Sequence, residues 1–191
     1  MLSDMSKHAT GIKRAVAAFL WIGLAGPVLG QAPAQSTEDL LALLRTPDLT
    51  NWEEVEQTIW ARWSQSGSPT ADMLLERGRE AMAADDIARA IEHLTALVDH
   101  APDFAEGYNA RATAYYRAGL YGPALADIET TLALNPQHFG AIMGLALILE
   151  ETGHPADALS AYRAVAAIHP HRPTIKDAVD RLERSLGEAA L

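Results

Sequence analysis

Residues 105–138 read AEGYNARATAYYRAGLYGPALADIETTLALNPQH, and the same outline recurs on either side of them. Pro136 closes the stretch, with Pro102 and Pro170 placed 34 residues before and after it. Ala124 is matched in the same way by Ala90 and Ala158, Tyr108 by Leu74 and Ile142, and Ile128 by Leu94 and Tyr162. Gly119 pairs with Gly153, and Asp85 takes that place in the first copy. Several registers at one spacing mark a repeat architecture, in which a unit buries its apolar face only against its neighbours. The three units are 71–104, 105–138 and 139–172.

Composition points to helix. Alanine and leucine dominate and β-branched residues are sparse, which favours helix over sheet. The second copy runs Tyr108-Asn-Ala-Arg111-Ala112-Thr-Ala-Tyr115, then Ala124, Ile128 and Pro136. The first gives Leu74, Arg77, Gly78, Ala90, Leu94 and Pro102, and the third Ile142, Leu145, Ala146, Ala158, Tyr162 and Pro170. This pattern resembles the tetratricopeptide repeat (TPR), with Leu74 and Ile142 where an aromatic is usual and Arg77 and Arg111 where leucine is usual. The resemblance implies an all-α solenoid of three helix hairpins, roughly 72–84 with 88–101, 106–118 with 122–135, and 140–152 with 156–169. Gly78, Ala112 and Ala146 are small where paired helices approach, and Leu74, Tyr108 and Ile142 are expected between units. Gly119 and Gly153 suit the left-handed residue that ends a helix. Each proline lies past a second helix, where helix cannot continue.

The flanks extend the array. Thr174-Ile-Lys-Asp177 reads as a capping box, with Asp in the usual Glu place. Ile175, Ala178, Val179, Leu182 and Leu186 follow at helical spacing, so 173–191 is expected to be a polar-backed capping helix. Upstream, within 31–70, Ser36 or Thr37 can cap one short helix and Asn51 a second that carries Trp52, Val55, Ile59, Trp60 and Trp63. Shifting the frame back by 34 residues aligns Leu40 with Leu74 and Trp60 with Leu94. Residues 37–66 are therefore expected to be a degenerate helix pair that caps the front of the first repeat. The tryptophans lie on one helical face and are expected to seal that end. The sharper alternative is an exposed aromatic anchor.

The first thirty residues carry Lys7, Lys13 and Arg14 against Asp4, then an uncharged run from Ala15 to Gly26 ended by Pro27. A basic region, a short apolar stretch and small exit residues describe a signal peptide, with cleavage after Gly30 or after Ala34. Twelve residues rise only about 18 Å as a helix, against a hydrocarbon core of about 30 Å. Export to the periplasm without stable membrane insertion is the expectation; an uncleaved inner-membrane anchor facing the periplasm is the alternative.

The whole chain has a net charge of −10, and beyond residue 30 it holds 12 basic and 24 acidic residues, a balance of −12. Such an acidic body argues against nucleic acid as partner. The sequence has no cysteine, which excludes disulfides, thiol nucleophiles, zinc–thiolate sites, iron–sulfur clusters and a lipobox anchor. No phosphate loop, dinucleotide fingerprint or serine elbow occurs. His169-Pro-His171 is the only close histidine pair, and is read as a solvated turn, since zinc needs further ligands. The carboxylates fall on faces expected to be exposed. No catalytic site, metal or cofactor is expected.

By resemblance, the first helices line a concave groove. In the first unit its residues are Asp72, Leu75, Arg79 and Met82; in the second, Glu106, Asn109, Thr113, Tyr116 and Arg117; in the third, Gly140, Met143, Leu147, Glu150 and Glu151. The family's lysine–arginine–asparagine clamp for a terminal carboxylate is not reproduced. Asn109 and Arg79 remain, but Leu75, Gly140 and Met143 stand where the clamp needs polar groups. A mixture of Met, Leu and Tyr suits an extended peptide or amphipathic helix. The expected function is a non-catalytic adaptor for an envelope protein or peptide; self-association through the tryptophan helix, as a structural spacer, is the alternative.

Overall fold

The computed structural model describes residues 35–189, which are helical throughout apart from turns. The expected signal segment and both cleavage points lie outside the described residues. Two short helices come first, α1 (Thr37–Leu44) and α2 (Trp52–Trp63). Three hairpins follow: α3 (Pro69–Ala83) with α4 (Ile87–His100), α5 (Ala105–Arg117) with α6 (Tyr121–Leu134), and α7 (Phe139–Glu151) with α8 (Pro155–Ile168). The last helix is α9 (Pro173–Ala189).

Local chemistry sets these boundaries. Ser36 and Asp39 form a capping box on α1, while Asn51 precedes α2 without bonding through its side chain. Pro69 opens α3, where its missing donor costs nothing. Asp86 accepts from the Arg89 amide at 3.2 Å to cap α4. Between paired helices, Asp85, Gly119 and Gly153 all have positive φ, at 59°, 73° and 80°. The 34-residue register thus holds a backbone requirement that glycine meets without strain and aspartate tolerates. Thr174 proves to lie inside α9: Pro173 begins the helix, so the capping box expected there does not form.

The core follows the second helix of each hairpin. Ala90, Ala124 and Ala158 are all 0% exposed, and Leu94, Ile128 and Tyr162 are buried beside them. Gly78 sits so close to α4 that a Cβ there would lie 2.5 Å from Leu94 Cγ. Leu74 and Tyr108 are only half-buried, whereas Ile142 is buried. The second helices, packed between neighbouring first helices, carry the inter-unit layer more than that register does. Arg111, standing in a leucine position, makes a two-pronged ion pair with the buried Asp127 at 2.7 and 2.8 Å, joining α5 to α6.

The amino-terminal pair is not where its frame places it. Leu40, Leu41, Leu44, Val55 and Ile59 share one core with Phe139, Ile142, Tyr162 and Val165 of the third hairpin and Ile175 and Leu182 of α9. The first hairpin has a separate core to which α1 and α2 contribute nothing. Trp60 and Trp63 pack on Phe139, with ring centroids 5.3 and 5.0 Å away, and Trp52 packs on His169 at 5.3 Å. The tryptophans are therefore packed and not displayed, and they cover the third repeat, not the front. A glycine explains the choice: a Cβ on Gly140 would lie 2.5 Å from the Trp60 ring. The other two units have Glu106 and Asp72 at that position and offer no such seat.

We expect Leu94→Ala to cost about 2–5 kcal/mol and Gly78→Ala to be destabilising alone. In the double variant the new methyl occupies the space Leu94 leaves, so the two losses, measured by urea unfolding, should sum to more than the double-variant loss.

Candidate partner-binding groove

The first helices leave a cavity of about 320 Å³ between α5 and α7. Its walls are Asn109, Ala112, Thr113, Tyr116 and Arg117 on one side and Gly140, Ala141, Met143, Gly144, Leu147 and Ile148 on the other, with Ile128 of α6 below. The lining is mostly apolar. Its lining includes the small residues Ala112, Gly140 and Gly144, and a Cβ on Gly144 would lie 3.4 Å from Ile128 Cδ1. Of the expected groove residues, Asn109, Thr113, Tyr116, Arg117, Gly140, Met143 and Leu147 come together here. Gly144 was missed, although glycines four apart inside an apolar helix are a legible sign of an open face.

The rim is polar. Tyr116 and Tyr121 each donate a hydroxyl to Glu151, at 2.5 Å to Oε1 and Oε2 respectively. Those bonds, from Tyr116 first and Tyr121 second, hold the Glu151 carboxyl below its ordinary value. The same bond, with burial and the carboxylate charge, pushes the Tyr116 hydroxyl up to about 12. Arg117 donates to the Met82 carbonyl at 2.7 Å and to Asp85 at 2.6 Å, so its guanidinium is already engaged.

The remaining expected residues do not line the cavity. Leu75 is 2% exposed and belongs to the first hairpin's core. Asp72 accepts from the Ser66 amide and hydroxyl, which ties α3 to the chain ahead of it. Glu106, expected on an exposed face, is 3% exposed. Arg79 pairs with it at 2.6 Å, Asn109 donates to it at 3.0 Å, and His138 Nε2 lies 3.0 Å away. His138 Nδ1 accepts from the Ala141 amide at 3.2 Å, so its proton sits on Nε2 and points at Glu106. Glu150 is paired with Arg181 of α9 and accepts from the Tyr162 hydroxyl at 3.2 Å.

Helix α2 packs beside the cavity at Gly140. Trp60 rests on Gly140, and Ser64 accepts from Arg79 at 3.0 Å. Glu56 accepts from the Trp60 indole at 3.0 Å, pairs with Arg172, and lies 3.1 Å from His169 Nε2. Burial would raise the Glu56 carboxyl, but hydrogen bonds from His169, Arg172 and Trp60 outweigh it and bring it from 4.5 to about 2. His171 Nε2 lies 3.0 Å from the Leu44 carbonyl. The His169-Pro-His171 turn is therefore only partly solvated: Pro170 is exposed, but His169 is 0% exposed, His171 is half-buried, and both rings contact the α1–α2 pair. The pairing was invisible in sequence because its partners stand 113 and 127 residues apart.

The tetratricopeptide-repeat profile matches residues 75–126 and 109–173. A TPR repeat-containing protein of Rhizobium etli is 31% identical over 158 residues, covering 81% of this chain and 76% of that one. The chain therefore belongs to the tetratricopeptide-repeat family. The Sgt2 TPR domain of Aspergillus fumigatus superposes with a TM-score of 0.60 at 25% identity, over 64% of this chain and 83% of that domain. The first TPR of Spaghetti (RPAP3), solved with the HSP90 peptide SRMEEVD, gives 0.60 at 22% identity, over 63% and 95%. Among the described residues no helix is long and apolar enough to cross a membrane.

Because the folded-state value of Glu56 is depressed, its contribution is complete above pH 4.5 and is lost as pH falls towards 2. Glu56→Gln should be less stable than the parent near neutral pH. The gap in urea midpoint should close as the pH is lowered through that window.

Proposed function

We propose that this chain is a periplasmic adaptor that holds a segment of another protein against the concave face, in the cavity between α5 and α7. One observation carries the reading: a largely apolar cavity bounded by Asn109, Tyr116, Met143 and Leu147 lies between the first helices of two neighbouring repeats. Apolar walls with a few placed polar groups are what a binding site requires. The Spaghetti domain, which shares the fold, is one that takes a peptide. The periplasmic setting is supported by the basic start, the apolar run Ala15–Gly26 and the small residues after Pro27.

A photo-crosslinking residue at Thr113 should capture a partner in native cells, and one at the exposed Glu129 of α6 should not. Leu147→Glu or Met143→Glu should abolish the capture while leaving the helical signal intact. Capture that survives both variants would remove the cavity from the function. Release of the mature chain by osmotic shock, with a cytoplasmic marker retained, checks the compartment.

A further inference from the structure

Two features flank the cavity. Trp60 rests on Gly140, which lines it near the start of α7. Tyr116, which lines it from α5, is bonded together with Tyr121 to Glu151 at the end of α7. At about 320 Å³ it lies at the low end of ligand-site volumes, room for one large side chain of a bound segment.

Charge at the rim is one-sided. Arg117 is ion-paired with Asp85 and donates to the Met82 carbonyl, and Glu150 is ion-paired with Arg181, so each of these charges has an opposite partner. Glu151 is exposed, and the groups bonded to it are two neutral hydroxyls. Each of its oxygens keeps a lone pair for a further donor. An arginine or lysine there gains a charge-assisted bond, whereas a carboxylate is repelled by Glu151 and by the acidic body behind it.

We propose that the partner enters this cavity with a single large apolar side chain and sets a neighbouring arginine or lysine against Glu151. This rests on the cavity being the binding site, and assigns the chemistry it selects. That chemistry is opposite in sign to the acidic peptide held by the Spaghetti domain, whose likeness to this chain is one of fold.

Phage-displayed random heptapeptides selected on the immobilised full-length chain test it. Enriched peptides should share a Leu, Met or Phe beside Arg or Lys, and should not be enriched on Leu147→Glu. On Glu151→Gln the basic preference should disappear. On Glu151→Lys it should turn acidic, with synthetic wild-type-selected peptides binding about tenfold more weakly or worse. Peptides that need Leu147 but bind the Glu151 variants unchanged would overturn the charge assignment and leave the cavity as the site. An acidic consensus on the parent would do the same. No enrichment, or enrichment indifferent to Leu147, would overturn both. Glu151→Gln keeps the size of the exposed side chain, so it remains informative if Glu151→Lys fails to fold.

Discussion

Everything in this molecule depends on how closely two helices approach inside each hairpin. Gly78 lies where Leu94 leaves no room for a methyl, and Ala90, Ala124 and Ala158 are sealed at the corresponding contacts. Close approach lets the large residues of the second helices fill the layer between units, so that no hairpin has a complete core alone. It also fixes what the first helices can do. With their inner sides committed, their other sides are left to line the cavity between α5 and α7, where Ala112, Gly140 and Gly144 are the small residues.

The α1–α2 pair makes a solenoid of three units into an asymmetric object. Its apolar residues merge with the third hairpin and α9, which enlarges that end of the core and leaves the first hairpin with its own smaller one. Glu56 lies among His169, Arg172 and Trp60 at the centre of the contact. A buried carboxylate adds little net stability over an apolar replacement, because desolvation offsets most of the attraction. Its consequence here is placement. It bonds to groups on the turn after α8 and within α2, and no other turn among the described residues offers that set. The same seat sets Trp60 against Gly140, a residue that also lines the cavity between α5 and α7.

The hairpins were legible because their signal is local and repeated: small residues, prolines and left-handed turns recur at one spacing, and each reports on its immediate neighbours. The location of α1–α2 was not. Aligning Leu40 with Leu74 assumes that sequence order continues as stacking order, and the frame has no means of registering a contact from residue 60 to residue 140. One trace existed. Gly140 breaks a register otherwise held by Asp72 and Glu106, and the break marks where a bulky group lands. Glu106 was misplaced for a related reason. Its position faces the groove in an isolated array, but Arg79, Asn109 and His138 close over it here.

The repeat register also explains why Glu151 keeps an open side. Its counterpart in the second unit is Arg117, which reaches back to Asp85, the left-handed residue in the turn of the preceding unit. The equivalent turn residue for Glu151 is Gly119, which has the same backbone geometry and no side chain. No countercharge can come from that turn. Tyr116 and Tyr121 take over the contact instead, and they orient the carboxylate without neutralising it. Two positions differ together, Asp85 against Gly119 in the turn and Arg117 against Glu151 on the helix; the fold is kept because aspartate and glycine both accept positive φ. The ion pair of one unit is thereby replaced in the next by a carboxylate held by two neutral hydroxyls. In a repeat protein the registers that build the hairpins can stay constant while such exchanges set the chemistry of each concave position.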